Sequence, residues 1–510
     1  MKLTGKNYVA GKLSSKGNVT FKTFNPNLNS ENNVIFYQAN KEEIENAIDS
    51  AFNAFKVYQK ISDENKAIFF DEIAYQIDNL GEQLISVYTE ETGLPIGRAE
   101  NEKNRTINQI KSFANLLREK NWKENYIDHA DLTRKPLPKP EIFKTYYPIG
   151  PVVVFTPSNF PLAFSTAGSD TISALAAGCP VIVKSHSMHS GTGELISYAI
   201  NNAIKKTKMP DGIFSNLNGK ENEVGEFLVK HSKISGVGFT GSLRGGRALI
   251  DIAKNRSNPI PVFAEMGSIN PIVILDGALE QDNKKLIDQI SSSITLGAGQ
   301  FCTNPGLIIV KDTSLSDKFI KDLSLKLDET PKQCMLHPNI IKNFIEKSNY
   351  VEQLEGVTKI TSNNVFENNF VKPQICSVSA NNFLKNKIYQ TEVFGPFSLF
   401  VKCKTYDEMI KVVYNLEGQL TGTIMANIQD KDFIKNIINA LEVKVGRVIF
   451  NGVPTGVEVC KAMNHGGPYP ASSDSRYTSV GIDSIKRWLR PISYQNWPKD
   501  ILKNDFSNKF

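Results

Sequence analysis

Pro151-Val-Val-Val-Phe155-Thr-Pro-Ser-Asn159-Phe-Pro opens the stretch that decides the fold, which runs on to Val181-Ile-Val-Lys184. Val152 to Phe155 is a short apolar run, mostly β-branched and bounded by Gly and Pro. That pattern is a buried strand. Residues 167–177 are small and apolar, as in a helix packed closely on a sheet. Residues 181–184 are a second strand, and 191–203 a second helix. A third strand at 234–239 and a helix at 241–253 follow, then further strands at 261–265 and 272–275. Strands alternating with helices of this length predict an α/β fold, with a parallel sheet joined by crossover helices.

Outward from this core, the first 37 residues read as short strands and turns. Ile44, Ala47, Ile48, Ala51, Phe52 and Phe55 recur at helical spacing, so a helix begins near Lys41. Further helices are predicted over 64–80 and, after the turn Gly93-Leu-Pro95, over 97–118. Residues 121–148 are polar and carry Pro136, Pro138, Pro140 and Pro148, which predicts an extended excursion used at a subunit contact. Residues 332–390 read as a peripheral part of a second domain. A strand at 397–403 and helices at 407–416 and 431–441 complete it. The end of the chain is extended and aromatic from Trp488. The organisation predicted is a Rossmann-like cofactor domain (1–120 and 149–260), an α/β catalytic domain (261–465) and small extended oligomerisation segments (121–148 and 488–510).

At 510 residues the chain exceeds what one hydrophobic core supports. The net charge of +6 is small for this length, and lysines are interleaved with acids, as in Lys41-Glu-Glu-Ile-Glu. Neither a nucleic-acid tail nor a polybasic membrane patch is present. No apolar run is long enough for a membrane span, and the first residues lack the apolar core of a signal peptide. The six cysteines are scattered, with no C-x-x-C pair. That spacing argues against a disulfide scaffold or a zinc site, so no metal ligand is expected. A reducing, cytoplasmic setting is expected.

One cysteine stands apart. In Gly297-Ala-Gly-Gln-Phe-Cys302-Thr-Asn-Pro it lies among small and polar residues, where a structural cysteine would lie among Val, Leu and Ile. A thiolate nucleophile needs access, backbone N–H donors and little apolar cover to raise its pKa. Taken alone, Cys302 reads first as a free thiol in a loop.

Six segments stand in order: Thr156-Pro-Ser-Asn159-Phe-Pro, Val181-Ile-Val-Lys184, Gly238-Phe-Thr-Gly-Ser242, Ala264-Glu265-Met-Gly267, Gly299-Gln-Phe-Cys302 and Glu392-Val-Phe394-Gly-Pro396. In this order and at these separations they resemble the NAD(P)-dependent aldehyde dehydrogenase superfamily, over about residues 7–498. The resemblance implies that Cys302 attacks an aldehyde carbon. The Asn159 amide and the Cys302 backbone N–H would hold the resulting oxyanion, and Glu265 would be the base for thioester hydrolysis. It also implies a nicotinamide cofactor near Thr156, Pro157, Lys184 and Ser187. The pyrophosphate would lie at Gly241, Ser242 and Gly246, the nicotinamide ribose on Glu392, and the nicotinamide ring against Phe394. The usual G-x-G-x-x-G fingerprint is absent, and the Gly241 turn resembles the family's variant of it. Each has a plainer reading: Glu265 a strand end, Asn159 a turn residue, Gly241 a glycine turn, Phe394 core.

Ser187 stands where NAD-preferring members often carry a Glu on the adenosine ribose. A serine admits a 2′-phosphate, with Lys184 as a cation, so NADP is the expected cofactor and NAD the alternative. Lys184-Ser-His186-Ser-Met-His189, Gly452-Val-Pro-Thr-Gly-Val-Glu458 and His465-Gly-Gly-Pro-Tyr-Pro-Ala471 resemble one branch, the α-ketoglutaric semialdehyde (2,5-dioxopentanoate) dehydrogenases. That branch implies an anionic semialdehyde substrate. Arg98 and Arg105 fall on one helix face, and Arg105 is the candidate carboxylate clamp, against the plainer reading of a surface pair with Glu102. Phe160 is a candidate substrate contact, while Ala163 and Ala167 leave room. The alternatives are a succinic-semialdehyde-type or broad aliphatic aldehyde dehydrogenase, or a non-catalytic binding protein of the same fold. Glu265 argues against a CoA-acylating relative, which needs no hydrolytic base. The resemblance implies a homodimer or homotetramer.

Overall fold

The computed structural model describes residues 1–119, 122–362 and 366–498. Val152–Phe155 is the middle one of five parallel strands in a seven-stranded sheet. Val181–Lys184 and Phe214–Leu217 pair in parallel on one side of it, Gly236–Thr240 and Val262–Glu265 on the other. Asn7–Val9 and Lys12–Ser14 extend the sheet antiparallel. Val152, Val153 and Val154 are wholly buried because helices cover both faces, each side chain contributing about 1.5–3 kcal/mol. The helices Asp63–Asp78, Ile96–Arg118, Ser169–Ala177 and Ser190–Thr207 supply one face of this core.

The second seven-stranded sheet runs Thr358–Lys359, Gln374–Ser379, Phe397–Cys403, Leu307–Lys311, Ile272–Ile274, Gln419–Met425 and Val445–Phe450. All are parallel except the first pair. A third sheet pairs Leu489–Gln495 with Ile142–Pro148, and that strand with Tyr126–Asp128. Both extended excursions read from the sequence therefore contribute strands to one small antiparallel sheet. Residues 121 and 499–510 of those segments lie outside the described residues. Among the described residues no helix is long and apolar enough to cross a membrane.

The structure departs from the sequence reading in several places. The chain leaves the first sheet after Glu265, past the boundary drawn at 260/261. Gln374–Ser379 lies inside the second sheet rather than at its periphery. Among the elements not foreseen are the strands Leu307–Lys311, Gln419–Met425 and Val445–Phe450 of the second sheet, the helices Gly81–Thr92, Asn283–Thr295 and Ser314–Asp328 and, in the first sheet, the strand Phe214–Leu217. The strand's polar Ser215 and Asn216 break the apolar run that marks a buried strand. They are buried all the same: the Ser215 hydroxyl accepts the Ala10 N–H at 3.0 Å.

Candidate active site

Strand ends and one kinked turn bring the chemical groups together. Glu265 is the last residue of its strand, and its backbone bridges to Ser472. Cys302 follows a turn in which Gly297, Ala298 and Gly299 all have positive φ, near 60°. Gly299 must be glycine: a Cβ there would lie 2.3 Å from the Gly395 carbonyl carbon. This close approach joins the Cys302 loop to the Glu392–Pro396 loop. Asn270 fixes it further, its amide donating to the Cys302 carbonyl at 2.8 Å and the Asn304 carbonyl at 2.9 Å.

His465 joins the nucleophile candidate to the acid. Its Nε2 lies 3.5 Å from Cys302 Sγ and 3.0 Å from Glu265 Oε1. The Ser479 hydroxyl donates to the other carboxylate oxygen, Oε2. Burial alone would raise the Glu265 carboxyl, but His465, Ser479 and the Cys302 thiol outweigh it and hold the carboxyl below its ordinary value. Burial, and then the Glu265 charge, push the Cys302 thiol well above its ordinary range. This corrects the expectation of a loop with little apolar cover. Phe301 beside the thiol is itself buried, and the neighbouring acids disfavour a second negative charge. Cys302 therefore rests as a thiol and needs a proton acceptor.

Asn159 reaches the same loop, donating from its side-chain amide to the Gln300 carbonyl at 2.9 Å. An amide nitrogen carries two hydrogens, so one remains for another acceptor. Glu392 lies across the Glu265–Ser268 turn and accepts the Ser268 N–H. A Cβ on Gly267 would lie 2.2 Å from its carboxylate.

A cavity of about 220 Å³ opens above the thiol, lined among others by Arg98, Arg105, Phe160, Phe164, Phe301, Cys302 and His465. Arg98 stacks over the rings of Phe160 and Phe301, at 4.4 and 4.6 Å. Glu102 pairs with Arg98 at 3.4 Å, and not with Arg105 as the plainer reading had it. Glu102 also accepts from Tyr88 Oη and from the N–H groups of Leu162 and Ala163. Arg105 instead donates to the Val457 carbonyl and leaves its buried Nε unpartnered. Arg447, which the sequence reading missed, holds the same loop through the Gly456 carbonyl at 3.1 Å and the Pro454 carbonyl at 2.7 Å. Its Nε is likewise buried and unpartnered. Burial lowers the pKa of both guanidinium groups. Among the described residues no carboxylate lies within ion-pair distance of either.

The remaining candidates line the end of the first sheet. Lys184 ends its strand with Nζ donating to the Gly219 carbonyl at 2.6 Å, and burial lowers its pKa to about 8. Thr156 donates to the Lys184 carbonyl, and the Pro157 carbonyl meets His189 Nε2 at 2.8 Å. Ser187 is half-buried between the stacked rings of His186 and His189 in sequence. Ser242 caps the helix Leu243–Lys254, accepting the Gly245 N–H, and is exposed. Gly241 packs on the Phe239 ring, and Gly246 is buried against Met266, where a Cβ would lie 2.5 Å from the sulfur. Met266 thus takes the room that a smaller residue would leave behind Glu265. Phe394 is half-buried beside Gly395.

His465 and Ser479, like Arg447, are functional candidates the sequence reading passed over. The signal available was the motif His465-Gly-Gly-Pro, quoted for its resemblance alone. Its proximity to Cys302 arises only from the fold, 163 residues apart in sequence.

The family model for the aldehyde dehydrogenase family matches residues 13–473. The chain is 42% identical over 504 residues to α-ketoglutaric semialdehyde dehydrogenase 2 of Azospirillum brasilense, covering 98% of this chain and 96% of that protein. It is 41% identical over 506 residues to α-ketoglutaric semialdehyde dehydrogenase of Acinetobacter baylyi, with the same coverage. Among solved structures, betaine aldehyde dehydrogenase of Staphylococcus aureus in complex with NAD+ superposes with a TM-score of 0.82 at 23% identity. That match covers 97% of this chain and 95% of that one. The fold, the matched residues and these relatives agree, and the chain belongs to the aldehyde dehydrogenase family.

Proposed function

We propose that the protein oxidises 2,5-dioxopentanoate, α-ketoglutaric semialdehyde, to 2-oxoglutarate, with NADP+ as hydride acceptor. The observation that carries this reading is the cavity itself. The Cys302 thiol and the His465 imidazole line it, with the Glu265 carboxylate behind the imidazole, and Arg105, without a carboxylate partner, stands at its wall. An aldehyde with a distal carboxylate matches both ends. The names of the relatives at 41–42% identity support the same substrate.

Cys302 Sγ attacks the aldehyde carbon while its proton passes to His465 Nε2, 3.5 Å away. The Glu265 carboxylate, at 3.0 Å, stabilises the imidazolium that forms. The oxyanion of the thiohemiacetal accepts from the free amide hydrogen of Asn159 and from the Cys302 backbone N–H. When bound, the nicotinamide supplies the hydride acceptor that converts this adduct to a thioester on Cys302. Glu265, ionised and held by Ser479, then takes a proton from the water that attacks the thioester. The carboxylic acid leaves, and the sulfur takes back the proton held on His465, while Glu265 gives up its own to solvent.

The residues present fit a dinucleotide. Lys184 is a half-buried ammonium, and Ser242 is an exposed helix cap with N–H groups free beyond it. Glu392 is a carboxylate placed beside the Glu265 turn. Ser187 near Lys184 admits a 2′-phosphate without repulsion. All six cysteines are free thiols, in keeping with a reducing, cytoplasmic setting. The exposed strand Tyr126–Asp128 and the alternately exposed strand Leu489–Gln495 are the surfaces we assign to a homodimer or homotetramer contact.

The test is NADPH formation, followed by absorbance, with 2,5-dioxopentanoate, succinic semialdehyde and a neutral aliphatic aldehyde, and Cys302→Ala as control. The highest kcat/KM is expected for the dioxo acid. Equal values for all three would remove the substrate assignment, and no signal with any of them would remove the enzymatic one.

A further inference from the structure

We propose that Cys302, Glu265 and His465 together form a chelating site for a soft divalent cation of the zinc class, and that its occupancy reversibly blocks the nucleophile. The effect on turnover rests on the catalytic reading above, whereas the site itself rests on geometry. The three ligand atoms all lie within 4.8 Å of one another. Sγ to Nε2 is 3.5 Å and Nε2 to Oε1 is 3.0 Å. Tetrahedral zinc, bonded at about 2.3 Å to sulfur and about 2.0 Å to nitrogen or oxygen, spaces its ligand atoms roughly 3.2–3.7 Å apart. Small side-chain shifts therefore suffice to receive the ion.

The donor set is soft to borderline, which selects zinc or cobalt(II) over magnesium and calcium. A thiolate, a carboxylate and a neutral imidazole balance a 2+ charge within a buried site. Ser479 holds the far carboxylate oxygen and so aims Oε1 at His465, the outer-shell support that metal ligands need. The fourth position faces the cavity that Cys302 and His465 line, leaving room for a water. The Arg105 guanidinium in the cavity wall opposes a dication, so affinity depends on all three ligands acting together. No local motif marks the site, because the ligands come from a strand end and two loops far apart in the chain.

On binding, the S–H bond of Cys302 breaks and a metal–sulfur bond forms. The proton leaves to solvent, and no electron is transferred. The sulfur lone pair that would attack an aldehyde is then engaged, and Glu265 is no longer available to water. A competing chelator reverses both effects.

The experiment uses the full chain, reduced and stripped of metal. Co2+ is titrated while the sulfur-to-cobalt charge-transfer absorption is followed, and Zn2+ affinity is read by competition with a chromogenic chelator. A single cation per chain and a charge-transfer band are expected. Cys302→Ser should abolish the band. His465→Asn and Glu265→Gln should each weaken Zn2+ binding roughly a hundredfold, with thermal unfolding and NADP+ binding reporting that each variant is folded. Absence of the band in the unaltered protein overturns the proposal. So does unaltered Zn2+ affinity in both His465→Asn and Glu265→Gln, which would mean capture by a lone thiol. Activity of the metal-free protein is measured separately: an inactive protein that still takes up the cation refutes the catalytic reading and not the site.

Discussion

His465 Nε2 and Glu265 Oε1 meet at 3.0 Å with both side chains almost wholly buried, at 1% and 4% exposure. Such a pair is costly to desolvate, and one member left alone is costlier still. The pairing therefore fixes the ring where its nitrogen also faces Cys302 Sγ. His465→Asn keeps a polar side chain but removes the acceptor for the thiol proton. Its kcat should fall by roughly a hundredfold to ten-thousandfold. Alkylation of Cys302 by iodoacetamide should slow in parallel. An unchanged alkylation rate would show that the thiol does not use this ring.

Arg105 and Arg447 each hold a carbonyl of the loop from Pro454 to Val457, and each buries an unpartnered Nε. Two roles are open to them, fastening the loop or receiving a substrate carboxylate, and a comparison of substrates separates these. With Arg105→Gln, which alters the arginine lining the cavity, KM for 2,5-dioxopentanoate should rise roughly thirtyfold, the equivalent of about 2 kcal/mol for a charge-assisted hydrogen bond. KM for a neutral aliphatic aldehyde should stay unchanged. Equal increases for both substrates would assign Arg105 to the loop alone.

Asp170 and Arg487 form a second buried pair, at 7% and 4% side-chain exposure. They tie the segment Ile482–Trp488 to the helix Ser169–Ala177, alongside the Trp488 Nε1 bond to Ser173 at 2.8 Å. Burial raises the Asp170 carboxyl, and Arg487 pulls it back. Arg487→Met would leave a carboxylate buried without a partner, at a cost of about 3–5 kcal/mol. Calorimetry should show a lowered unfolding midpoint. The double variant with Asp170→Asn should recover part of the loss, and no recovery would mean that the guanidinium acts by packing alone.

How much of this could be read from the chain follows from where each signal resides. The strands Val152–Phe155 and Val181–Lys184 were legible because burial on both faces leaves a continuous apolar run. Phe214–Leu217 was not, since its buried Ser215 and Asn216 look like loop residues until their hydrogen-bond partners are known. Cys302, Glu265 and Asn159 were legible through local motifs and a resemblance. His465, Ser479 and Arg447 were not, because their meaning is a distance across the fold. Arg105 was placed on the right helix face, but its neighbour could not be foreseen. Helical spacing allowed a pair with Glu102 through either arginine, and the stack of Arg98 on Phe160 and Phe301 decides which one forms.

Lys184 makes cofactor binding depend on pH. Burial lowers its pKa to about 8, so below that value Nζ carries a charge that can meet a phosphate, and above it the charge is lost. A 2′-phosphate raises the pKa of the lysine it binds, so binding near pH 8 takes up a proton. NADP+ affinity should therefore fall as pH rises through about 8, with a corresponding proton uptake in calorimetric titrations run in two buffers. NAD+ affinity, without that phosphate, should fall less. Lys184→Met should flatten the NADP+ profile. Ser187→Glu should reverse the preference, because a carboxylate repels the 2′-phosphate and accepts both ribose hydroxyls instead. An NADP+ affinity flat from pH 7 to about 9 in the unaltered protein would place the phosphate away from Lys184.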